Sequence, residues 1–549
     1  MTLIVSILCF GHHAISQPPS LDWHHLSLND GYPGVSSRST FDSLLADKPS
    51  QSVIVAVIDS GIDIEHEDLK ENIWTNKNEI PGNGIDDDKN GYIDDYYGWN
   101  FIGGPFGDVG PETYESTRIY AALRYKFENA FPEKLTKEQK KEYELFIKAR
   151  DNVMEERRKA ENSLKQIETI ENNIISGLKE IKNQLDERGY TLSQLDSLDL
   201  KSEPRLTMTL NVLQQFLREQ PQIEDISELI NTIENAIGED KKGIKNKLDY
   251  SFNPDFDSRK TIVMDDYADS RQRYYGNNNV IGPDPTHGTH VAGIIGAIYG
   301  NSKGMDGIAR NVKIMTVRAV PDGDERDKDV ANAIRYAVDN GASIINMSFG
   351  KGFDWDKKVV DDAVKYAEKK DVLLVHAAGN SGFDLSQNDN FPNRYYRDKG
   401  SFLCKKPEAK SWIEVGASSF KNTEELPAIF SNYGKKEVDI FAPGVSIYST
   451  VPDNKYSSLQ GTSMAAPVVA GIAAVLRSYF PELTAIQVKE IILNSAVKFD
   501  QIVKVPGRKE VKKAPFNSLS VTGGIANLEE AVKLALTVKG KKKLKINTP

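Results

Sequence analysis

Six short stretches of this chain are largely apolar: residues 53–58, 312–317, 344–350, 372–378, 412–417 and 438–441. Runs of that length without alternation read as strands covered on both faces, the habit of parallel sheets. Between them, residues 328–340 and 357–369 carry apolar side chains at helical spacing. Residues 286–295, and the small-residue run after Ser463 through Val468, Ala470, Gly471, Ala473, Ala474 and Leu476, predict two buried helices, and residues 527–536 a closing one. Strands alternating with helices predict an α/β fold with a doubly wound, mostly parallel sheet.

The pattern changes between residues 112 and 247. Leu164, Ile167, Ile174, Leu178, Ile181 and Leu185 fall at heptad spacing amid Glu and Lys, which predicts an amphipathic helix of coiled-coil type. Leu206, Leu210, Leu213 and Leu217, then Ile226, Ile230, Ile233 and Ile237, predict two shorter helices punctuated by Pro204 and Pro221. Residues 114–127 and 138–150 read as helical too. An antiparallel helical hairpin or small bundle over residues 111–249, inserted into the α/β domain, accounts for all of them. Residues 17–50, with Gly31, Pro33 and Gly34, read as a polar N-terminal extension, and 538–549 as a basic, solvated tail.

At 549 residues the chain exceeds one ordinary core. A net charge of −10 argues against nucleic acid or an anionic membrane as partner and suits a protein that binds cations. Cys9 and Cys404 are the two cysteines, so no disulfide framework is expected. The apolar run 3–10, followed by Ala14, Ile15 and Ser16, predicts a signal peptide over residues 1–16 and a secreted or periplasmic protein. No apolar run approaches the length that a membrane span needs.

Two kinds of chemistry stand out. Asp86, Asp88, Asn90, Tyr92 and Asp94 set oxygen ligands at alternating positions around Gly91, the arrangement a structural Ca²⁺ takes; the late bidentate Glu and flanking helices of an EF-hand are absent from this stretch. Asp59 ends the first predicted strand, where open α/β sheets place their chemistry. His287 and His290 are three apart on one helical face, with no Glu or Cys nearby to complete a zinc set. His287 at the helix start can reach a cleft, and His290 reads as a packed residue. Ser463 opens a helix whose dipole favours a developing anion, although a serine there caps a helix more often than it attacks. Asn380, between Gly379 and Ser381 at a strand end, is a turn residue or a donor to an oxyanion.

Taken together, Val57-Ile58-Asp59-Ser60-Gly61, His287-Gly288-Thr289-His290-Val291-Ala292-Gly293, Ala377-Ala378-Gly379-Asn380, Asn346-Met347-Ser348-Phe349-Gly350 and Gly461-Thr462-Ser463-Met464-Ala465-Ala466-Pro467 resemble the ordered motifs of subtilisin-type (subtilase, S8) serine endopeptidases. The resemblance covers roughly residues 50–105 and 280–535 and assigns 51–110 with 250–537 to the catalytic domain. It implies Ser463 as nucleophile, His287 as base, Asp59 as the orienting acid and Asn380 as oxyanion donor. Polypeptide substrates would pair with Ser348, Phe349 and Gly350. The resemblance further implies a calcium position at Asp68 and Asn301, and a cis peptide before Pro392. The chain departs from the family in the helical insertion between acid and base, and in a stretch before Val53 that is short for an inhibitory prodomain. Two other readings stay open: a catalytically silent scaffold that binds or assembles through its insertion, and a processing enzyme whose protein client or partner docks there.

Overall fold

In the computed structural model, the described residues are 19–185, 195, 196, 198, 200, 203–219, 226–397, 407–507 and 511–541. The expected signal peptide, Cys404 and most of the basic tail lie outside them. They form two compact units, one within residues 116–256 and one within residues 19–115 and 257–541.

The larger unit is built on a nine-stranded sheet. Its strands, in chain order, are β1 (Val53–Asp59), β2 (Gly98–Asn100), β3 (Val312–Arg318), β4 (Ile344–Met347), β5 (Leu373–Ala377), β6 (Trp412–Ser418), β7 (Ile440–Pro443), β8 (Val497–Lys498) and β9 (Gly524–Ile525). Across the sheet they run β8-β9-β7-β6-β5-β4-β1-β3-β2, every pair parallel except β8 with β9. The apolar runs are strands because both faces are covered. Val55 and Val57 of β1 pack with the helix Thr462–Tyr479, whereas Ala56 and Ile58 pack with the helices Asp327–Asp339 and Lys357–Lys369 on the other side. A doubly wound parallel sheet gathers the carboxyl ends of its central strands along one edge. Asp59 ends β1, Ser348 follows β4 and Asn380 follows β5, so neighbouring strands deliver all three to that edge.

The helix Thr462–Tyr479 is long and apolar enough to cross a bilayer, which the sequence reading did not anticipate. Of that span 89% is buried, and it serves as the central core helix instead. Its alanines and glycine permit close approach: a Cβ on Gly471 would lie 2.6 Å from Ile308 Cβ. The expected polar loop before β1 also proves to be packed. Trp23, Val35, Phe41 and Leu45 are buried in the same core, and Trp23 Nε1 donates to the carbonyls of Val445 and Ser446 at 3.2 Å each.

In the unit of residues 116–256, one helix runs Lys137–Ile170, passes a π-helical turn at Glu171–Ile175 and continues as Ser176–Gln184. Thr136 and Gln139 close a capping box at its start. Its first part packs beside Ile226–Asn246 and its last part beside Pro204–Glu219. Ile174, Leu178, Ile181, Leu206, Leu210, Leu213, Leu229 and Ile230 share one buried cluster. The helix Glu115–Phe127 adds Tyr120 and Phe127 against Phe146, with ring centroids 6.0 and 5.9 Å apart.

Candidate active site

The helix Thr286–Gly296 carries His287 in its first turn. Two glycines let this helix approach the end of β1. A Cβ on Gly288 would come within 2.1 Å of the Gly61 carbonyl oxygen, and Gly61 itself adopts φ 124° with no room for a side chain beside the Ile281 carbonyl. The hairpin of Ile447–Val451 and Lys455–Leu459 seats the helix from the other side: the hydroxyls of Ser449 and Thr450 each donate, at 2.8 Å, to the carbonyls of His290 and Thr289.

This packing puts His287 Nδ1 2.7 Å from Asp59 Oδ1. Asp59 is buried, 2% exposed, and its Oδ1 also accepts from the Ser60 amide. With Nδ1–H donated to the carboxylate, Nε2 is the ring nitrogen left to accept a proton. Burial lowers the proton affinity of the imidazole. The charge and hydrogen bond of Asp59, with help from Asp284, outweigh it and hold the His287 pKa above the ordinary histidine value. His290 lies fully buried with Nε2 against the Ser457 carbonyl, and burial holds its pKa down at about 4, so it stays neutral.

Ser463 is the second residue of the core helix and remains half-buried. Its Oγ donates to the Ser348 carbonyl at 3.1 Å, while Ser348 Oγ donates to the Ser463 carbonyl at 3.0 Å. Asn346 Nδ2 in turn donates to Ser348 Oγ at 2.9 Å, so the nucleophile candidate and the end of β4 are tied together. Asn380 is exposed, and its Oδ1 accepts from both the amide and the hydroxyl of Thr462, at 2.8 and 2.9 Å. That pair of bonds fixes which way the carboxamide faces and leaves the Nδ2 donor for the cleft. Sequence reasoning missed Thr462 in this orienting role. Of the predicted substrate edge, Ser348 is buried, Phe349 half-buried and Gly350 exposed. The peptide Phe391–Pro392 is cis.

The acidic loop gathers differently from the alternating pattern. Carboxylate oxygens of Glu79, Asp86 and Asp88 lie within 4.8 Å of one another. Asp94 instead accepts from the amides of Asn83 and Gly84, at 3.1 and 2.8 Å. The Tyr92 ring packs among Trp99, Phe101 and Tyr336. Asn90 donates its amide and its Nδ2 to the Asp88 carboxylate, and its Oδ1 accepts from the Tyr92 amide. Glu79, absent from the sequence prediction because it precedes the alternating stretch, is 4% exposed, and its Oε2 is buried with no partner among the described residues. Burial, reinforced by Asp95 and Asp88, pushes its carboxyl group up. An orphaned carboxylate oxygen beside two more carboxylates fits a hard cation such as Ca²⁺. Asp68 and Asn301 meet directly, Asn301 Nδ2 donating to Asp68 Oδ1 at 2.6 Å. Asp68 also accepts from the Met305 amide and the Tyr456 hydroxyl, so a cation there has to displace protein donors.

Residues 50–523 match the family model of the subtilase family, Peptidase_S8. The thermophilic serine proteinase of Bacillus sp. (strain AK1) is 39% identical over 242 residues, which are 44% of this chain and 52% of that protein. Subtilisin DY of Bacillus licheniformis is 40% identical over 215 residues, covering 38% of this chain and 70% of that one. Thermitase of Thermoactinomyces vulgaris is 37% identical over 225 residues, 40% and 72% of the two chains. The chain thus spans about half the length of the first relative and about seven-tenths of the other two. A match that takes in Asp59, His287, Asn380 and Ser463 and most of the sheet that carries them means that this chain belongs to the subtilase family.

Proposed function

We propose that this subtilase is a serine endopeptidase that hydrolyses peptide bonds with Ser463, His287, Asp59 and Asn380. The 2.7 Å bond between His287 Nδ1 and Asp59 carries the reading, because it leaves Nε2 as a base beside the helix that begins at Thr462. The Ser463 hydroxyl turns from the Ser348 carbonyl to His287 Nε2, gives up its proton and attacks the scissile carbonyl carbon. The oxyanion takes hydrogen bonds from Asn380 Nδ2 and from the Ser463 amide, one of the first-turn N–H groups that a helix leaves without a partner. His287 then returns the proton to the leaving amine, and water repeats the sequence on the acyl-enzyme. Asp59 holds the tautomer and balances the imidazolium. In the subtilisin family, removal of the oxyanion asparagine costs about 10²–10³ in kcat, and Asn380→Ala carries that expectation here. The substrate lies extended along Ser348, Phe349 and Gly350.

Glu79, Asp86 and Asp88 would hold a calcium ion, which would neutralise their charge and tie the acidic loop together. Asp68 with Asn301 forms the weaker candidate, since its oxygens already have donors. Export to the periplasm or the medium follows from the leader-like stretch at residues 3–16. The test of the activity is a fluorophosphonate probe with the purified protein beside Ser463→Ala. Labelling and casein hydrolysis by the wild type, both lost in the variant, are expected. A wild type inert to the probe under conditions that label subtilisin leaves the silent-scaffold reading in its place.

A further inference from the structure

The residue that follows the substrate-pairing edge is a buried lysine. Lys351 is 4% exposed, and its ammonium group donates to Glu115 Oε2 at 2.5 Å, to Asp327 Oδ1 at 2.7 Å and to the Glu325 carbonyl at 2.8 Å. An ammonium has three N–H donors, and here three acceptors are in place. Its backbone is held as firmly: Lys351 and Phe391 exchange two amide-to-carbonyl bonds of 2.9 Å each. The Asp327 carboxylate also accepts from the amides of Trp355 and Asp356, at 3.0 and 2.6 Å, and so fixes the chain beyond Lys351. On the other side of Lys351, Gly350 sits where a Cβ would lie 2.7 Å from Asn390 Oδ1.

A buried ion pair is weak evidence for stability, because desolvating the charges offsets most of their attraction. What such a group supplies is position, since its donors are matched to acceptors on two separate stretches of chain, at Glu115 and at Glu325 to Asp327. We propose that Lys351, with Glu115 and Asp327, is the positioning residue that holds Ser348, Phe349 and Gly350 in register for an extended substrate. It touches neither the scissile bond nor the nucleophile, and acts by keeping the stretch just beyond β4 extended and ready to pair. The proposal rests on the protease reading and deepens it: it assigns the extended part of the substrate, not the chemistry, to this cluster.

A pair of substrates separates the two. A single-residue ester reacts at Ser463 without reaching the edge, whereas a tetrapeptide p-nitroanilide with the same residue at the cleavage site lies along it. Lys351→Met is expected to lose about ten- to hundredfold in kcat/KM on the tetrapeptide, the penalty of a misplacement of about 1 Å, with ester hydrolysis and fluorophosphonate labelling near wild type. Glu115→Gln, which leaves Lys351 its Asp327 and Glu325 partners, is the milder variant and reads the same ratio if Lys351→Met does not fold; a smaller loss confined to the tetrapeptide is expected. An active wild type whose tetrapeptide-to-ester ratio is unmoved in these variants overturns the positioning role alone. Equal losses on both substrates make the cluster merely structural. A wild type inert to both substrates overturns the protease reading and this role with it.

Discussion

His287 is a base only while neutral, and its environment decides the pH at which that holds. Burial alone would lower its pKa, but the Asp59 charge, the 2.7 Å hydrogen bond and Asp284 raise it above the ordinary value of about 6.5. The acid limb of kcat/KM against pH therefore lies above 6.5 in the free enzyme, with activity rising as His287 loses its proton. Asp59→Asn removes the charge that raises the pKa and leaves the burial that lowers it. Its residual activity is expected to show an acid limb displaced to lower pH, with kcat down by several orders of magnitude from the lost tautomer control. A pH–rate profile of the variant whose limb stays at or above that of the wild type would show that Asp59 is not what holds the proton on His287. Asn380 illustrates what residue-level reading misses. The motif marks it, but its orientation depends on Thr462, eighty-odd positions along the chain, and only the contact between the end of β5 and the core helix makes that link.

At the level of elements, the acidic loop carries its own prediction. Glu79 Oε2 is buried without a partner among the described residues, with Asp86 and Asp88 close by, so in the absence of a cation the three carboxylates repel one another and one of them is left poorly solvated. Chelation by EGTA at matched ionic strength is expected to lower Tm by several degrees, and excess Ca²⁺ to restore it. Glu79→Gln removes one charge and one ligand, and should shrink that calcium-dependent shift while leaving Asp68→Asn as a control with a smaller effect. An unchanged Tm in both conditions would remove the loop from any structural metal role. This loop also separates what the sequence displays from what it hides. The alternation of Asp86, Asp88 and Asn90 is local and visible, whereas Glu79 and the capping duty of Asp94 are set by how the loop closes. Strands β1 and β3 to β7 are legible because burial on both faces leaves largely apolar runs, whereas β2, β8 and β9, two or three residues each, carry no such run. The helix Ala485–Asn494 shows both its Thr484 and Gln487 capping box and a short stripe of Ala485, Val488, Ile491 and Ile492 in the sequence, and is absent from the sequence prediction. The segment before β1 hid its packing for a related reason: Trp23, Val35, Phe41 and Leu45 follow no period. Predicted helices at residues 138–150 and 164–185 belong to one continuous run, because the intervening polar residues form the solvated face of Lys137–Ile170.

For the molecule as a whole, the question is whether the unit of residues 116–256 is needed for the sheet that bears the site. The chain enters that unit and leaves it at adjacent points, since Thr117 Oγ1 donates to the Ser251 carbonyl at 2.7 Å. Segments whose ends meet can be removed or inserted with little strain on the host, because closing a short bridge costs little entropy. The unit also holds its own apolar clusters, with Ile174, Leu178, Ile181, Leu206, Leu210 and Leu213 in one and Ile167, Ile175 and Ile237 in another. Replacing residues 118–250 by a bridge of a few Gly and Ser residues is therefore expected to leave a domain that melts cooperatively and labels at Ser463 with a fluorophosphonate. The buried Thr117 and Ser251 become exposed in the shortened chain, so some loss of Tm is expected. If the labelled fraction stays near that of the full chain while hydrolysis of whole proteins falls and that of a tetrapeptide does not, the helical unit serves the choice of client. If both substrates are cut as before, it serves neither step. Failure of the shortened protein to fold or label would instead make the unit part of the catalytic domain's own stability, contrary to the separate cores that it contains.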